Sequence, residues 1–335
     1  MVRVGIVGYG YAGRVIHSRL IGSVDGLSLT AVASRSPERR RQAQEDWSVA
    51  TYETIEDLLS DPNVDVVIIA TPHQTHHRLA LLSIEAGKAT VVDKPLTITV
   101  EEAEDLLRVA REKGVLFTVF QNRRWDWDFL TVQKVFKEGV IGPFWWMESS
   151  VGRFGPTRGW RSERGQMGSL LHDWGVHLMD QVFLLMGRPQ SLRLIRHFRR
   201  WGGDVESFVR VQMEWNDGRT AVVEVNYLRA AEKPRWYVLG DDGGLVITGL
   251  DPQEKALREG NIDAAPSYSG QKATLFLARN GQVICQALPL VQGDWRDFYR
   301  NLRDVLEGKA ELAVPAEECV EVLRLIQAAL ASTGR

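Results

Sequence analysis

The feature that most constrains this chain is a glycine-spaced turn between a strand-like and a helix-like segment at its N-terminus. The β-branched run 2–7 leads directly into Gly8, Tyr9, Gly10, Tyr11, Ala12 and Gly13, and helical period follows to about residue 22. In a GxGxxG turn so placed, Gly8 permits the tight turn, Gly10 leaves room for a pyrophosphate, and Gly13 lets helix and strand pack closely. We predict that residues 8–13 bind a dinucleotide; the alternative is three glycines in an ordinary βα turn.

The pattern along the chain predicts two domains. Up to residue 121, short β-branched runs alternate with segments of helical period, which is typical of βαβ units around a parallel sheet. Beyond it, longer alternating strands are joined by hairpin signals such as 216–218 and 280–281. We expect an α/β Rossmann domain with a doubly wound parallel sheet over residues 1–122. An α+β domain with a large, mostly antiparallel open sheet follows over 123–335.

Composition narrows the class of protein. With 44% hydrophobic and 25% charged residues among 335, the chain is neither disordered nor collagen-like. Its 41 Lys and Arg nearly cancel 43 Asp and Glu, which argues against nucleic acid or an anionic membrane as a partner. Cys285 and Cys319 are too few for a disulfide framework. With no apolar run able to span a bilayer and no leader before the first strand, we expect a cytoplasmic protein.

The residues after the second predicted strand bear on the choice of cofactor. That strand continues into Ser34 and Arg35, where an NAD-preferring site usually carries an acidic residue for the adenosine ribose. A Ser hydroxyl and a guanidinium can both donate to a 2′-phosphate, which a carboxylate would repel. We predict a preference for NADP, with NAD as the alternative cofactor. Arg39 to Arg41 could add positive potential, although a solvated helix face explains them equally well.

Two further strands, at 64–70 and 89–92, end in residues that belong to the ligand edge of a parallel sheet. We assign to the cofactor site the residues that follow them: Thr71, Pro72, His73, His76, Asp93 and Lys94. A metal site at the closely spaced histidines is the alternative, but no Cys or carboxylate nearby completes a ligand set, and we predict no metal. For Lys94, an exposed loop lysine fits the position equally well.

A helix at about 170–185 carries the residues best suited to proton transfer. Asp173 and His177 are spaced i, i+4, which predicts one helix face a turn apart. A carboxylate and an imidazole so placed can orient a substrate hydroxyl and take its proton. The alternative is a solvent-facing Asp–His pair, with Asp180 as a further helix charge. Gly175 between them costs up to about 1 kcal/mol relative to Ala, which indicates that another group approaches the helix closely.

These segments together resemble a known family. The GxGxxG turn, Thr71-Pro72, Asp93-Lys94-Pro95 and Asp173-x-Gly175-x-His177 resemble the glucose–fructose oxidoreductase / inositol dehydrogenase family of NAD(P)-dependent enzymes over nearly the whole chain. Segments 122–129 and 158–161 resemble its branch of NADP-dependent scyllo-inositol dehydrogenases. Asp93 replaces the commoner Glu, and Ser169 stands where many members have glycine.

The resemblance implies hydride transfer between a nicotinamide and a carbinol carbon of a cyclic polyol or sugar. In this scheme His177 is the general base, Lys94 stabilises the developing alkoxide, and Asp173 holds a neighbouring hydroxyl. We also assign Asn122 to the cofactor site. The predicted substrate-binding residues are Lys94, Arg123, Trp160, Arg161, Asp173 and His177.

Two other functions stay open. The fold also serves in regulators that bind a dinucleotide without catalysis, and some relatives are glycosidases that use the nicotinamide for a transient oxidation. A retired active site would have little reason to keep Lys94, Asp173 and His177 together, which favours the dehydrogenase.

The second domain also predicts an association surface. Along its strands, apolar positions such as Val209, Val211 and Met213 alternate with polar ones such as Arg210 and Gln212, so that one face of the sheet is apolar. The other face of a large antiparallel sheet needs a partner or an unusually polar surface. We expect a homodimer or homotetramer formed through this sheet.

Overall fold

The computed structural model describes residues 1–198, 201 and 204–332. These residues form two compact units. The first unit comprises residues 1–122, 254–262 and 295–323, and the second comprises 123–253, 263–294 and 324–335, with the last unit described only to residue 332. The predicted domain boundary at 122 stays a prediction, because later segments of the chain return to the first unit.

The first unit is built on a six-stranded parallel sheet with the strand order β3-β2-β1-β4-β5-β6. The strands are β1 Val2–Val7, β2 Leu27–Ala33, β3 Ala50–Tyr52, β4 Val66–Ile69, β5 Ala89–Asp93 and β6 Phe117–Phe120. The connecting helices are α1 Ser18–Gly22, α2 Pro37–Trp47, α3 Ile55–Leu59, α4 His76–Glu85 and α5 Val100–Lys113. The chain order reverses between β1 and β4, which is where a doubly wound fold binds its ligand.

Local sequence explains the ends of these helices. Ser36 accepts a hydrogen bond from the Arg39 amide at the start of α2, and Thr99 accepts one from the Glu102 amide at the start of α5. Gly114 ends α5 with a φ of 63°, a backbone conformation that glycine adopts without strain. The central strand β4 is fully buried, as its continuous apolar sequence requires.

The second unit contains an eight-stranded sheet in the order β14-β13-β12-β11-β7-β10-β9-β8. Its strands are β7 Phe144–Gly152, β8 Ser191–Phe198, β9 Glu206–Glu214, β10 Thr220–Asn226, β11 Trp236–Gly240, β12 Gly243–Thr248, β13 Lys272–Arg279 and β14 Gln282–Leu288. Neighbours are antiparallel except β7 and β10, which run parallel. The predicted fold class, a parallel Rossmann sheet followed by a mostly antiparallel one, is confirmed.

The remaining helices follow the chain through the second half of the sequence. They are α6 Trp127–Glu138, α7 Arg164–Met167, α8 Val176–Met186, α9 Gln253–Arg258, α10 Ala265–Tyr268, α11 Arg296–Leu306 and α12 Ala316–Ala331. The apolar side of β9 is buried as predicted, with Val209, Val211 and Met213 at most 1% exposed. None of the described helices has both the length and the apolar character needed to cross a bilayer.

Candidate functional site

In the first unit, the predicted cofactor residues follow the carboxyl ends of four neighbouring strands. Gly8 follows β1, Ser34 follows β2, Thr71 lies just beyond β4, and Lys94 follows β5. Because these strands are parallel, their carboxyl ends lie at one edge of the sheet, on both sides of the point where the strand order reverses. The fold therefore brings the predicted segments to the edge where ligands bind.

The glycine turn has the shape that a dinucleotide requires. Gly8 has a φ of +96°, and a Cβ there would collide with the Ala70 carbonyl oxygen. A Cβ on Gly13 would collide with the Gly8 carbonyl oxygen, so this glycine lets helix and strand approach. At Gly10 the opposite holds, because a Cβ would meet no atom within 4 Å. The space at Gly10 fits a pyrophosphate at a helix N-terminus.

The residues between these glycines have distinct roles. Tyr9 is 1% exposed, and its hydroxyl donates to Asp46 Oδ2 at 2.9 Å, which ties the turn to α2. Burial first, and then the hydrogen bond to Asp46, raise the pKa of Tyr9 to about 12. Tyr11 is 45% exposed, and its hydroxyl donates to Glu254. Ala12 begins a π-helical turn, Ala12–His17, so the predicted helix 12–22 is regular only over α1.

The residues after β2 leave one cation open to solvent. Arg35 is exposed, and within the described ranges it forms no hydrogen bond or ion pair. The Arg40 guanidinium donates to the Ser34 carbonyl oxygen at 2.6 Å, which adds a second positive charge beside the same turn. The turn thus presents the Ser34 hydroxyl and the guanidinium groups of Arg35 and Arg40. Neither position 34 nor position 35 carries a carboxylate.

His76 connects the turns that follow β4 and β5. It is fully buried, with Nδ1 2.8 Å from the Pro95 carbonyl oxygen and Nε2 2.9 Å from the Thr71 carbonyl oxygen. Burial lowers its pKa, which favours the neutral ring. His73 is also buried, with its ring centroid 5.7 Å from that of His76. In the described part of the chain, no group of three or more His, Cys, Asp or Glu residues is arranged to hold a metal ion.

Asp93 anchors the turn that carries Lys94. The Lys94 amide donates to Asp93 Oδ1 at 2.8 Å, and His17 Nε2 lies 3.8 Å from Asp93 Oδ2. The His17 Nδ1 atom is in turn 2.5 Å from the Tyr299 hydroxyl. Burial opposes ionisation of Asp93, but His17, Lys94 and His76 together outweigh it and lower the pKa to about 2. Sequence reasoning missed His17 and Tyr299, since they lie 76 and 206 residues from Asp93.

In the second unit, Asp173 and His177 are both buried, at 6% and 4% exposure. The predicted helix 170–185 starts as a π-helical turn, Leu171–Gly175, and becomes α-helical at Val176. Asp173 lies in the π turn and His177 in α8, so their placement on one helix face stays a prediction. Such turns recur at functional sites. The burial of both side chains argues against a solvent-facing pair.

The close approach at Gly175 comes from inside the same helix. A Cβ there would lie 2.8 Å from Leu171 Cδ2 and 3.3 Å from the Leu170 carbonyl oxygen. The expectation that a separate group packs against Gly175 is therefore not needed. The glycine accommodates the wider π turn that precedes it.

The predicted substrate residues Trp160 and Arg161 lie in the single turn Gly159–Ser162. The Arg161 guanidinium stacks over the Trp160 ring at 4.4 Å, and its Nε lies 3.5 Å from Asp173 Oδ1. The structure therefore brings three of the predicted substrate residues together: Trp160, Arg161 and Asp173.

Arg123 lies deeper than a substrate contact usually does. It is 7% exposed, its NH1 donates to Asp126 Oδ2 at 3.2 Å, and its guanidinium stacks 4.1 Å from the Trp174 ring. The Trp174 ring in turn meets the His177 ring edge-on at 6.1 Å. Asn122, buried at 6% exposure, begins the preceding turn Asn122–Trp125. Arg123 is thus placed to support the helix that carries His177.

A buried polar network that the sequence did not reveal holds this helix. Arg124 makes a bidentate ion pair with Asp180, at 2.9 and 2.7 Å. Gln181 donates to the Arg123 carbonyl oxygen at 2.7 Å and accepts from Arg235 at 2.6 Å. Asp180 is 1% exposed, so this helix charge is buried and paired rather than solvent-facing. The only indication of this network in the sequence was the dense run of charged and aromatic residues at 122–128.

Three further carboxyl groups, besides that of Asp180, belong to this buried network. Asp251 accepts from the Trp127 amide at 2.8 Å, and Asp128 accepts from Trp236 Nε1 at 2.9 Å. Asp126 is 1% exposed, and its pKa is raised well above the ordinary range, by burial first and then by the negative charge of Asp251. Burial likewise raises the pKa of Asp251 to about 6.

We expect Asp126→Asn to change how stability depends on pH. Because the folded pKa of Asp126 lies above the unfolded value, the folded wild type binds more protons and loses stability as pH rises above about 4. The variant lacks this loss, so between roughly pH 4.5 and 8 its unfolding free energy should rise by more than about 1 kcal/mol relative to that of wild type. Urea unfolding at both pH values measures the difference. Asp25→Asn, at an exposed position, is the control; a pH-independent difference for Asp126→Asn would contradict the assignment.

Comparison with known proteins now decides the family. Residues 2–121 match the family described as "Oxidoreductase family, NAD-binding Rossmann fold", and residues 129–246 match the "GFO/IDH/MocA C-terminal domain". The chain is 36% identical over 338 residues to the uncharacterized oxidoreductase YdgJ of Escherichia coli, covering 99% of this chain and 96% of that protein. The chain belongs to the Gfo/Idh/MocA family of oxidoreductases. The resemblance inferred from its motifs is confirmed.

Two further relatives match this chain over nearly its whole length. It is 31% identical over 341 residues to the NADP-dependent scyllo-inositol 2-dehydrogenase IolW of Bacillus subtilis, covering 99% of this chain and 94% of that one. The structure of YPO2259 from Yersinia pestis superposes with a TM-score of 0.92 at 34% identity, covering 99% of this chain and 94% of that chain. As a Gfo/Idh/MocA oxidoreductase, the protein is an NAD(P)-dependent dehydrogenase.

Proposed function

We propose that this family member transfers a hydride between NADP and a carbinol carbon of a cyclic polyol or sugar. The observation that carries the proposal is the open space at Gly10, at the sheet edge where Ser34, Thr71 and Lys94 also lie. A site built for a dinucleotide at the ligand edge of the sheet, in an oxidoreductase family, supports nicotinamide chemistry. The relation to IolW favours a cyclic polyol.

The cofactor preference rests on charge. Arg35 and Arg40 lie at the turn after β2, and Ser34 and Arg35 include no carboxylate that would repel a 2′-phosphate. IolW is named as an NADP enzyme, which favours the same preference here. NAD is the alternative cofactor. Bound at this edge, the nicotinamide supplies or accepts the hydride.

The roles of the protein side chains follow from their chemistry. His177 takes the proton of the reacting hydroxyl in the oxidation direction and returns it in reduction. The Lys94 ammonium stabilises the alkoxide that develops on that oxygen, and Asp173 orients the ring through a second hydroxyl. Burial of Asp173 and His177 strengthens both interactions by excluding water. Steady-state assay of polyols and sugars with NADP and NAD tests these roles.

We also propose a homodimer or homotetramer formed through the eight-stranded sheet. Its strands expose large apolar side chains, among them Ile195 at 45%, Tyr237 at 37% and Val283 at 69%. On strand β14, residues 282–287 are exposed throughout. An apolar strand at a sheet edge is costly in water, so a second copy of the chain is the expected cover.

Light scattering measures the assembly. We expect a mass at micromolar concentration that is at least twice the 37.8 kDa of one chain. The double variant Ile195→Asp, Tyr237→Asp should shift the mass toward the monomer, since a buried charge at an interface is strongly unfavourable. Glu259→Ala, at an exposed position outside the sheet, is the control. A wild type that is monomeric would refute the proposal.

A further inference from the structure

The segment from Val151 to Asp173, which precedes α8, is rich in arginine. It contains Arg153, Arg158, Arg161 and Arg164 against the acidic Glu163 and Asp173. Arg164 is held by Asp204, whose Oδ1 accepts from the Arg164 amide at 2.8 Å. Arg158 is exposed. The segment thus carries more positive charge than its own carboxylates neutralise.

Among these arginines, Arg161 has a guanidinium group that is held in place and still has donors for a ligand. Stacking on Trp160 at 4.4 Å and the 3.5 Å approach of its Nε to Asp173 Oδ1 fix the plane of the guanidinium. Its side chain is 39% exposed, and within the described ranges its two terminal nitrogens make no hydrogen bond. A fixed fork of two donors matches a carboxylate or a phosphate.

Tyr227 lies near three charged residues of this segment, Arg153, Arg161 and Asp173. It is 5% exposed, and the Arg153 guanidinium stacks over its ring at 4.3 Å. Burial raises its pKa, the charge of Asp173 raises it further, and Arg153 and Arg161 oppose the increase. The Tyr227 hydroxyl therefore lies within electrostatic reach of one carboxylate and two guanidinium groups.

These observations bear on the kind of molecule that the site takes. A neutral ring would offer the terminal nitrogens of Arg161 only hydroxyl oxygens, whereas an oxyanion would form charge-assisted hydrogen bonds, which are roughly twice as strong. Asp173 neutralises part of the charge on Arg161, but Arg153, which stacks on Tyr227, adds a further positive charge. The net positive charge favours an anion over a neutral polyol.

Building on the proposed function, we propose that the substrate is a polyhydroxylated ring that carries an oxyanion, either a carboxylate or a phosphate ester, bound by the terminal nitrogens of Arg161. The oxyanion takes no part in the reaction. A carbinol C–H gives its hydride to NADP⁺ and the hydroxyl gives its proton to the protein, which leaves a carbonyl, NADPH and one proton. The acidic group orients the ring beside the hydroxyl that Asp173 binds.

Matched substrates test this inference. Glucose, glucuronate and glucose 6-phosphate, together with galactose and galacturonate, are assayed for kcat/KM with NADP on wild type, Arg161→Gln and Arg161→Lys. We expect an acidic member to exceed its neutral partner by about 10- to 100-fold on wild type, since only the acidic member forms charge-assisted hydrogen bonds with the terminal nitrogens of Arg161. Arg161→Gln should remove this advantage mainly through KM, and Arg161→Lys should keep part of it. The control is Arg279→Gln, at an exposed hairpin position.

The outcomes distinguish a carboxylate from a phosphate ester, and they test the oxyanion site separately from hydride transfer. Preference for the uronates assigns a carboxylate, and preference for the phosphate assigns a phosphate ester. Two results would overturn the inference but not the hydride transfer. One is a kcat/KM for the neutral sugars equal to that for their acidic partners; the other is an equal loss of kcat/KM for both kinds of sugar in Arg161→Gln. If no member is turned over, thermal shift with NADP and glucuronate against glucose decides the inference: greater stabilisation by glucuronate supports it, and stabilisation by both alike refutes it.

Discussion

Replacement of His177 by Asn should lower kcat for polyol oxidation by about 10²- to 10⁴-fold, the usual contribution of a general acid–base group. The binding of NADP should not change, because the glycine turn and Ser34-Arg35 belong to the first unit, whereas His177 belongs to the second. The expected signature is therefore a loss of turnover at an unchanged cofactor dissociation constant.

The measurement pairs steady-state kinetics with cofactor titration by protein fluorescence. His197→Asn, at an exposed position on β8, is the matched control and should keep wild-type turnover. Since His177 is 4% exposed, the variant's unfolding midpoint is needed to show that it is folded. A folded His177→Asn protein with near-normal kcat would assign the proton transfer to another group.

The second large effect concerns the cofactor. We expect the double variant Ser34→Asp, Arg35→Ala to lower the ratio of kcat/KM for NADP over NAD by about 100-fold, because it replaces two donors to the 2′-phosphate with a carboxylate that repels it. Arg35 is exposed and makes no hydrogen bond or ion pair within the described ranges, so its loss costs little stability. The new carboxylate can accept from the ribose hydroxyls of NAD.

Kinetics with both cofactors at one polyol concentration measure this ratio. Arg41→Ala, at an exposed position of α2, removes a nearby positive charge without touching the turn and should change the ratio by less than about threefold. A wild type that prefers NAD, or a double variant with an unchanged ratio, would show that Ser34 and Arg35 do not contact the 2′-phosphate.

The sequence predicted those features that depend on local pattern. The βαβ alternation gave the parallel sheet, and hairpin signals such as Asn280-Gly281 fell between paired strands. Gly8 and Gly13 have the close backbone contacts that their motif requires. These predictions succeed because strand period, turn chemistry and the glycine requirement act over a few residues.

Features set by distant contacts could not be predicted. Arg124 and Asp180 are 56 residues apart, and each looks like an ordinary surface charge until the fold buries the pair. The contact of His17 with Tyr299 joins residues 282 positions apart. The spacing of hydrophobic residues in one sequence also cannot distinguish a π-helical turn from an α-helical turn. For this reason Leu171–Gly175 was expected to be regular α-helix.

The central claim, NADP-dependent hydride transfer on a polyhydroxylated ring, is tested most directly by the absorbance of reduced nicotinamide. Purified protein is mixed with NADP or NAD and with inositols, aldoses and their acidic counterparts, and the reverse direction is run with the reduced cofactors and the matching carbonyl compounds. We expect at least one substrate to yield reduced nicotinamide and carbonyl product in equal amounts, and to do so faster with NADP than with NAD. Tight cofactor binding without any net redox change across the panel in either direction would contradict it.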